Sequence, residues 1–277
     1  MGFRINTNVA SISAQRALKV STREGESTMS KLASGSRITK AADDAAGLAI
    51  SEKLKSYMRS SVQANRNAND GISMIQVAEG SFNEISGILT RLRELAIQSA
   101  SDTVGEDERR FSNMEYQNLI QEVQRISEVT EFNGRKLLDG SGDKYDFQIG
   151  IMNNDFQDRI SYDAQKTNGT AGALGIEGMS VQSKDDAQSS LGRIDQAILK
   201  VSENRAELGA LQNRLVSTST NLETMEENLS AANSRIRDLD FAQGAAANAK
   251  NQILSSAGTS VLAQANASGQ NALKLIG

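Results

Sequence analysis

The most regular pattern in the chain is a seven-residue repeat of apolar positions near its C-terminal end. Its first row consists of Ile194, Val201, Leu208, Leu215, Leu222, Leu229 and Ile236. A second row begins three residues later at Ala197, and two polar residues, Asn204 and Thr218, interrupt it. Two apolar rows with this period are typical of a helix that packs against other helices. A helix over 192–239 is about 70 Å long and needs partner helices to bury these rows.

A matching heptad pattern upstream predicts the first partner helix. Its two rows are Ile75, Phe82, Leu89 and Ala96, and Ala78, Ile85 and Leu92. A less strict continuation toward the N-terminus consists of Met58, Leu54, Ile50 and Leu48. We expect this helix to end at the polar turn over 99–102.

A shorter third helix is expected after that turn. The residues expected on its core side are Phe111, Leu119, Val123, Ile126 and Val129. Three helices with matching aliphatic stripes form a bundle. Because aromatic residues make up only 4% of the chain, its core should be slim and aliphatic.

The apolar period changes to two in the middle of the chain. Tyr145, Phe147, Ile149 and Ile151 alternate with polar residues or glycine, which predicts a strand with one apolar face. After a turn over 152–155, a returning strand is expected to carry Phe156, Ile160 and Tyr162. Residues 166–184 are rich in Gly and Ser/Thr and favour an irregular connection.

The two ends of the chain carry weaker helical stripes. The N-terminal stripe is Ile5, Val9 and Ile12, and the C-terminal stripe is Leu254, Ala257, Val261 and Ala265. Their neighbours are mostly Ala, Ser, Asn and Gln, so we expect weak helices that become ordered only by packing. The predicted fold is therefore mainly α, an elongated antiparallel helical bundle or coiled coil with a small β-hairpin region and with the two termini side by side.

Composition excludes most catalytic chemistry. The 277 residues contain no His, Cys, Pro or Trp, which excludes disulfides, thiolate nucleophiles and Ser-His-Asp catalysis. Residues 1–42 carry a net charge of +5, residues 43–240 carry −11 and residues 241–277 carry +2. The basic ends are too sparse in Lys and Arg for a nucleic-acid patch. No signal peptide and no apolar run long enough for membrane insertion is recognised.

Asp43 and Asp44 are adjacent carboxylates, a pair that invites a catalytic interpretation. Adjacent residues on a helix point about 100° apart, and no His, Lys pair or phosphate loop accompanies them. Aspartate near the first turn of a helix opposes the helix dipole, so we interpret the pair as a helix start. We predict no catalytic residue, no metal site and no cofactor.

Long motifs at both ends resemble those of a known family. The N-terminal motifs are INTNVASISAQRAL, LASGSRITKAADDAAGLAIS, NDGISMIQVAEGSFNEI, LTRLRELAIQSAS and EFNGRKLLDG. The C-terminal motifs are ENLSAANSRIRDLDFA and ILSSAGTSVLAQAN. On these motifs the chain resembles bacterial flagellins over nearly its whole length. Residues 163–190 match no motif where flagellins usually carry large variable domains, so the resemblance implies a minimal, core-only flagellin.

The resemblance implies a structural subunit that self-assembles into the flagellar filament. It divides the chain into an inner-domain helix (1–42), an N-terminal rod part (43–185), a long C-terminal rod helix (186–239) and a second inner-domain helix (240–277). The residues it assigns to the inner tube are Ile5, Val9, Ile12, Leu254, Val261 and Leu262. A spoke between the tube and the outer wall would include Ala42, Asp43, Asp44 and Gly47.

The resemblance also implies finer roles. The strand pair, with Ile149 and Ile151, would take part in switching between subunit states. The flagellin surface that Toll-like receptor 5 recognises matches Arg91, Leu95, Gln98 and Glu115, although Leu95 could equally pack in the bundle. The implied partners are further copies of the chain, the export apparatus, an export chaperone, the filament cap, other flagellins and that receptor. The implied location is the extracellular filament, reached without a cleaved signal.

Three alternatives differ in class. A hook–filament junction protein shares the terminal helices, but AADDAAGLAIS and RELAIQSAS match flagellin better. A cytosolic coiled-coil scaffold explains the heptads but not the alternating strand or the Ala-rich ends. An enzyme is disfavoured because no polar cluster converges.

Overall fold

The computed structural model describes residues 7–274, and it describes side chains as far as Ser268. The helices are α1 (Val9–Ser34), α2 (Ala45–Ser99), α3 (Glu106–Val129), α4 (Ala171–Leu174), α5 (Lys184–Arg237) and α6 (Phe241–Lys274). The strands are β1 (Glu131–Phe132), β2 (Arg135–Lys136), β3 (Lys144–Gln148) and β4 (Arg159–Asp163). A larger unit spans Met58–Glu227, and a smaller unit combines the described residues up to Tyr57 with those from Asn228 onward.

The core of the larger unit is built from the two predicted heptad patterns. On α2 and α5 the fully buried side chains include Phe82, Ile85, Leu89, Leu92, Ile194, Val201, Leu208 and Leu215. Arg93 Nε donates to Asp195 Oδ1 at 2.8 Å, and Ser61 Oγ donates to the Leu222 carbonyl at 3.1 Å. Because the pairing numbers run in opposite directions, α2 and α5 are antiparallel. The predicted mainly α bundle with a small β region is confirmed.

The first turns of α2 differ from the predicted stripe. Ile50 is exposed, whereas its neighbour Ser51 is buried and donates to Asn233 Oδ1 on α5 at 2.7 Å. Adjacent helical side chains point about 100° apart, so a face centred on Ser51 turns Ile50 away from the contact. The extension of the apolar stripe to Ile50 is therefore wrong.

The predicted core face of α3 is also partly wrong. Its buried residues are Asn113, Tyr116, Ile120, Val123 and Ser127. Phe111 and Val129 lie on the opposite side and are exposed, while Leu119 and Ile126 pack at the edge of the core. The helix carries two apolar stripes, and the stripe that contains Tyr116 is the one the bundle buries.

The predicted strand pair forms a short antiparallel hairpin. Tyr145 pairs with Tyr162, and Phe147 pairs with Ile160. β3 ends at Gln148, so Ile149 and Ile151 lie beyond it, and Phe156 precedes β4. Pairing stops there because the Asp158 carbonyl accepts hydrogen bonds from both Ile149 N and Gly150 N. The prediction that these strands include Ile149, Ile151 and Phe156 is wrong.

The segment predicted as an irregular connection is a folded cover of the bundle. It contains α4, and Leu174, Ile176, Met179 and Val181 are buried. Buried Asn113 accepts hydrogen bonds from Val181 N and Ser180 Oγ. These contacts attach a glycine-rich segment to α3, which composition alone did not indicate.

Candidate assembly surfaces

The helices α1 and α6 pack against each other in the smaller unit. Asn8 caps α1 by accepting a hydrogen bond from Ser11 N, and its amide donates to the Ala265 carbonyl at 2.9 Å. Ser11 Oγ donates to Asn266 Oδ1 at 2.8 Å. These contacts place the described parts of the two chain ends side by side, as predicted.

The contact between α1 and α6 is a heptad seam made mostly of small and polar residues, with three leucines among them. On α1 the seam residues are Ser11, Ala14, Leu18, Ser21, Gly25, Thr28 and Leu32. On α6 they are Gly244, Asn248, Asn251, Ser255, Gly258, Leu262 and Ala265. A Cβ added to Gly258 would lie 3.2 Å from Leu18 Cδ1, so the helices approach closely. Such a seam removes little apolar surface from water.

Several large apolar side chains of these helices point away from the seam. Val9 is 63% exposed and Val261 is 55% exposed, and Ile12 and Leu254 are also exposed. Leu262 differs, because it lies on the seam that faces α1. Ile5 lies outside the described residues. Exposed apolar side chains in a row mark a surface that another molecule covers.

Sequence reasoning missed two further members of this outward surface. Val20 and Ile253 are both large, apolar and exposed. Val20 lies eleven residues after Val9, which is close to three helical turns, so a longer helical wheel would have found it. Ile253 adjoins Leu254 and widens the α6 stripe.

Asp43 and Asp44 stabilise the loop that leads into α2. Asp43 Oδ2 accepts hydrogen bonds from Thr39 N at 3.0 Å, Thr39 Oγ1 at 2.9 Å and Lys40 N at 3.2 Å. These bonds, led by those from Thr39, lower the pKa of the Asp43 carboxyl group below its ordinary value. Asp44 Oδ1 accepts from Gly47 N at 2.9 Å, which is the geometry of a helix N-cap. Both carboxylates therefore bind backbone groups.

Gly47 allows a close approach at the start of α2. A Cβ added there would lie 2.4 Å from Asp44 Oδ2 and 2.9 Å from Ile38 Cδ1. Ile38 is buried, whereas Ala42 is exposed. Of the predicted spoke residues, Asp43, Asp44 and Gly47 fix the local backbone, and Ala42 is free of such contacts within the described fold.

The same loop is bonded to the end of α5, a connection that the sequence did not reveal. Arg37 N donates to the Arg237 carbonyl at 2.7 Å, and Arg37 Nη2 donates to the Ile236 carbonyl at 2.7 Å. Leu239 N donates to the Gly35 carbonyl at 3.0 Å. Arg37 thereby satisfies carbonyl groups that the end of a helix leaves without partners.

The residues proposed for receptor contact are only partly brought together at the surface. Arg91 Nε donates to Glu115 Oε1 at 2.9 Å, and Arg91 Nη1 donates to Glu94 Oε2 at 2.9 Å. The bond to Glu115, followed by that to Glu94, raises the pKa of Arg91. Gln98 is exposed, but Leu95 is 2% exposed and belongs to the bundle core. The accessible surface is therefore polar and lacks Leu95.

Neither metal ligation nor membrane crossing finds support in the described residues. They contain no group of three or more acidic side chains arranged to hold a metal ion. Over the same range, the helices lack an apolar stretch that could cross a membrane.

Two family models match most of the chain. The bacterial flagellin N-terminal helical region matches residues 5–143, and the bacterial flagellin C-terminal helical region matches residues 191–276. The chain belongs to the bacterial flagellin family. The flagellin resemblance inferred from the motifs is confirmed, including its extent and the absence of a large outer domain.

Similar proteins support the same assignment. A flagellin of Halalkalibacterium halodurans is 42% identical over 272 residues, which cover 98% of this chain and 99% of that protein. Flagellar filament core protein flaB2 of Brachyspira hyodysenteriae is 41% identical, with 98% and 99% covered. The crystal structure of Bacillus cereus flagellin is 26% identical with a TM-score of 0.51, covering 61% of this chain and 94% of that one. This flagellin family is structural.

Proposed function

We infer that the chain is a structural subunit of a bacterial flagellar filament and that α1 and α6 supply its main assembly surface. The observation that carries the assembly role is the arrangement of the smaller unit. Its internal seam is mostly small and polar, whereas Val9, Ile12, Leu254 and Val261 are exposed. Ile5, which precedes the described residues, is included in the same proposed surface.

The outward stripes need neighbouring copies to remove them from water. Burial of an aliphatic side chain contributes roughly 1.5–3 kcal/mol, so several such contacts in each copy are substantial. A contact between two different surfaces of one chain generates an open helical filament when the rotation from copy to copy does not close a ring. Copies of this chain are therefore the partners that best fit the stripes.

Net charge supports packing between copies. Residues 1–42 and 241–277 carry net charges of +5 and +2, whereas residues 43–240 carry −11. Attraction between the basic ends of one copy and the acidic middle of another favours association at low salt. High salt should weaken this contribution but leave apolar burial in place.

The test compares two neighbouring positions on α6. Val261→Asp places a charge on the outward stripe, and Leu262→Asp places one in the seam. We expect both variants to abolish filaments in electron micrographs, but only Leu262→Asp to lower the helicity of the monomer by circular dichroism. Leu199→Asp, at an exposed position on α5, is the matched control and should leave filaments intact. Normal filaments from Val261→Asp would contradict the proposed surface.

We also propose roles in the filament for the loop before α2 and for the hairpin of β3 and β4. We assign Ala42, Asp43, Asp44 and Gly47 to a spoke between tube and wall, supported by the bonds that fix this loop. The hairpin that ends beside Ile149 and Ile151 would shift between subunit states. Replacing either residue by Gly should change filament waveform before it affects secretion, and loss of secretion with normal waveform would contradict this role.

Export completes the proposed function. The location would be the extracellular filament, reached through the flagellar export apparatus with help from a chaperone and the filament cap. The absence of Cys and Pro supports this route because neither disulfide formation nor slow X-Pro isomerisation delays folding at the tip. Other flagellins could share the filament. Immunogold labelling of intact cells, with a strain lacking the export apparatus as control, tests this location.

The exposed ion pair favours one further binding role. Arg91 and Glu115 hold each other at the surface of the larger unit, with Gln98 exposed on the same helix as Arg91. We propose that monomers bind Toll-like receptor 5 through these three residues. Arg91→Ala should strongly weaken signalling in a reporter-cell assay, whereas Glu203→Ala should not. Leu95→Ala acts through the core and should also lower thermal stability; no signal from folded wild-type monomer would contradict the proposal.

A further inference from the structure

The loop between β3 and β4 presents an aromatic side chain to solvent. Phe156 is 92% exposed, and the loop also carries exposed Met152. A single aromatic residue this exposed removes no apolar surface from water within its own chain. Aromatic anchors on a surface are typical centres of protein–protein contacts.

Hydrogen bonds fix the position of this loop. Asn154 N donates to the buried Asp158 carboxylate at 2.9 Å, and Phe156 N donates to Asn154 Oδ1 at 3.1 Å. Arg159 bonds to Asp155, and its Nη2 donates to Asn153 Oδ1 at 2.6 Å. Because these bonds already order the loop, binding through Phe156 should cost little further conformational entropy.

The hairpin itself is held against one face of α2. Asn67 Nδ2 donates to the Gln148 carbonyl at 2.9 Å. A Cβ added to Gly71 would lie 3.1 Å from the Phe147 ring, so the hairpin lies directly on the helix. These contacts prevent Phe156 from reaching other faces of its own bundle.

A groove on a different face of α2 has room for an aromatic ring. It lies between α2 and α3, has a volume of about 480 Å³ and is lined by Val77, Gly80, Ile126 and Val129 among others. Val77 and Val129 are exposed, and a Cβ added to Gly80 would meet no atom within 4 Å. Two of the lining residues are joined by a hydrogen bond, because the Thr130 hydroxyl donates to Ser81 Oγ at 2.9 Å. This bond connects α2 to the residue that follows α3.

We propose that Phe156 of one copy inserts into the groove between α2 and α3 of the next copy. This inference rests on the proposed filament function and names a contact in the larger unit that the terminal helices do not supply. A second copy is the expected occupant because a filament requires two different surfaces of one chain to meet. Arg125 lines the groove and donates two hydrogen bonds to Glu122, at 2.6 and 2.8 Å, and the planar face of its guanidinium group can stack on the ring.

Site-specific crosslinking tests the contact without background, because the chain has no cysteine. Filaments of the double variant Phe156→Cys, Val129→Cys are treated with a short bismaleimide. Each chain then has one reactive thiol on the loop and one in the groove. We expect a ladder of dimers, trimers and longer products on a denaturing gel, because the head-to-tail contact repeats.

The matched control pairs Phe156→Cys with Phe111→Cys, an exposed position eighteen residues before Val129 on α3. It should yield no ladder. Filaments of the Val129 pair without a ladder, or equal ladders from both pairs, would overturn the docking contact and leave the filament function standing. Absence of filaments from the wild-type chain would overturn both.

A second measurement covers the case in which the cysteine pair fails to polymerise. Phe156→Ala removes the anchor, and Gly80→Phe fills the groove from its open side. Each should raise the critical concentration for polymerisation about tenfold or more, as expected for an interface anchor. Leu199→Ala and Gly192→Phe, at exposed positions on α5 outside the contact, should leave the critical concentration unchanged. Equal effects from anchor and control variants would contradict the proposal.

Discussion

The larger unit turns its apolar side chains inward, whereas the smaller unit turns many of its own outward. In the larger unit, Ile194, Val201 and Leu208 are fully buried. In the smaller unit, the heptad seam is mostly small and polar, and Val9 and Val261 are exposed. Both units use a seven-residue period, so the period by itself does not show how much apolar surface a unit buries within its own chain. The size of the side chains on the packed face determines that amount.

The difference separates folding from assembly. A unit that buries its aliphatic rows within one chain can offset its conformational entropy alone. A helix pair with a small, polar seam gains less from its own contact and leaves surface for neighbours. We therefore expect monomer stability to depend on the larger unit and filament stability to depend on the smaller one.

The largest expected effect comes from placing a charge in the core of the larger unit. Leu208→Asp puts a carboxylate at a fully buried position. Buried, unpaired charge should lower the free energy of unfolding by about 4 kcal/mol or more. Thermal unfolding followed by circular dichroism measures this, with Leu199→Asp as the exposed control on the same helix. A similar melting temperature for both variants would contradict the expectation that monomer stability depends on the core of the larger unit.

The second largest expected effect is a difference between the two units in their susceptibility to protease. In the monomer, weak helices open locally and are cleaved before a packed core. We expect limited digestion to remove roughly 40 residues from each end and to leave a fragment that no longer polymerises. Mass spectrometry identifies the fragment, and addition of protease to filaments is the control. Equal resistance of the ends and the middle in monomer would contradict the expected order of stability.

Overfilling the α1–α6 seam should have a moderate and local effect. A Cβ added to Gly244 would lie 2.9 Å from Leu32 Cδ2, so Gly244→Val forces the helices apart. Overpacking of this kind costs about 1–3 kcal/mol. Hydrogen exchange should become faster in α1 and α6, while amides of α5 near Leu208 stay protected. Gly192→Val, at an exposed position on α5, controls for the change in helix propensity from glycine to valine.

The smallest expected effect concerns acid at the start of α2. The bonds from Thr39 and Lys40 depress the pKa of Asp43 in the folded state below its ordinary value of 3.8. Its stabilising contribution is therefore fully present above about pH 3.8 and is lost as pH falls through the lower folded value. Asp43→Asn should flatten the acid dependence of hydrogen exchange around 39–47. Unchanged acid dependence in that variant would show that other carboxylates determine it.

Much of the helical fold could be predicted from local patterns. The rows that contain Phe82 and Leu208 predicted α2 and α5 because a seven-residue apolar period has one helical interpretation. The position of Asp44 before α2 followed from the chemistry of helix capping. Long motifs then carried the family assignment. These signals are all contained within short stretches of the chain.

Other features could be determined only from the tertiary structure. Phe111 and Tyr116 both lie on apolar stripes of α3, and only packing selected the stripe with Tyr116 as the core face. The covering segment around Ile176 has a composition typical of a loop, yet its contacts with α3 bury it. Arg37 bonds to carbonyls two hundred residues away, so no local pattern could identify that contact.

The candidate surfaces also combine features that the sequence predicted with features that only the tertiary structure shows. The sequence by itself determined that each end forms a helix, and its composition limits how much apolar surface such a helix can bury. Only the tertiary structure decided that Leu262 faces α1 while Val261 faces outward, and that Phe156 stands free while Leu95 is enclosed. Periodicity determines which side chains of one helix or strand lie on the same side. Which side is buried depends on residues distant in the sequence that pack against that helix or strand.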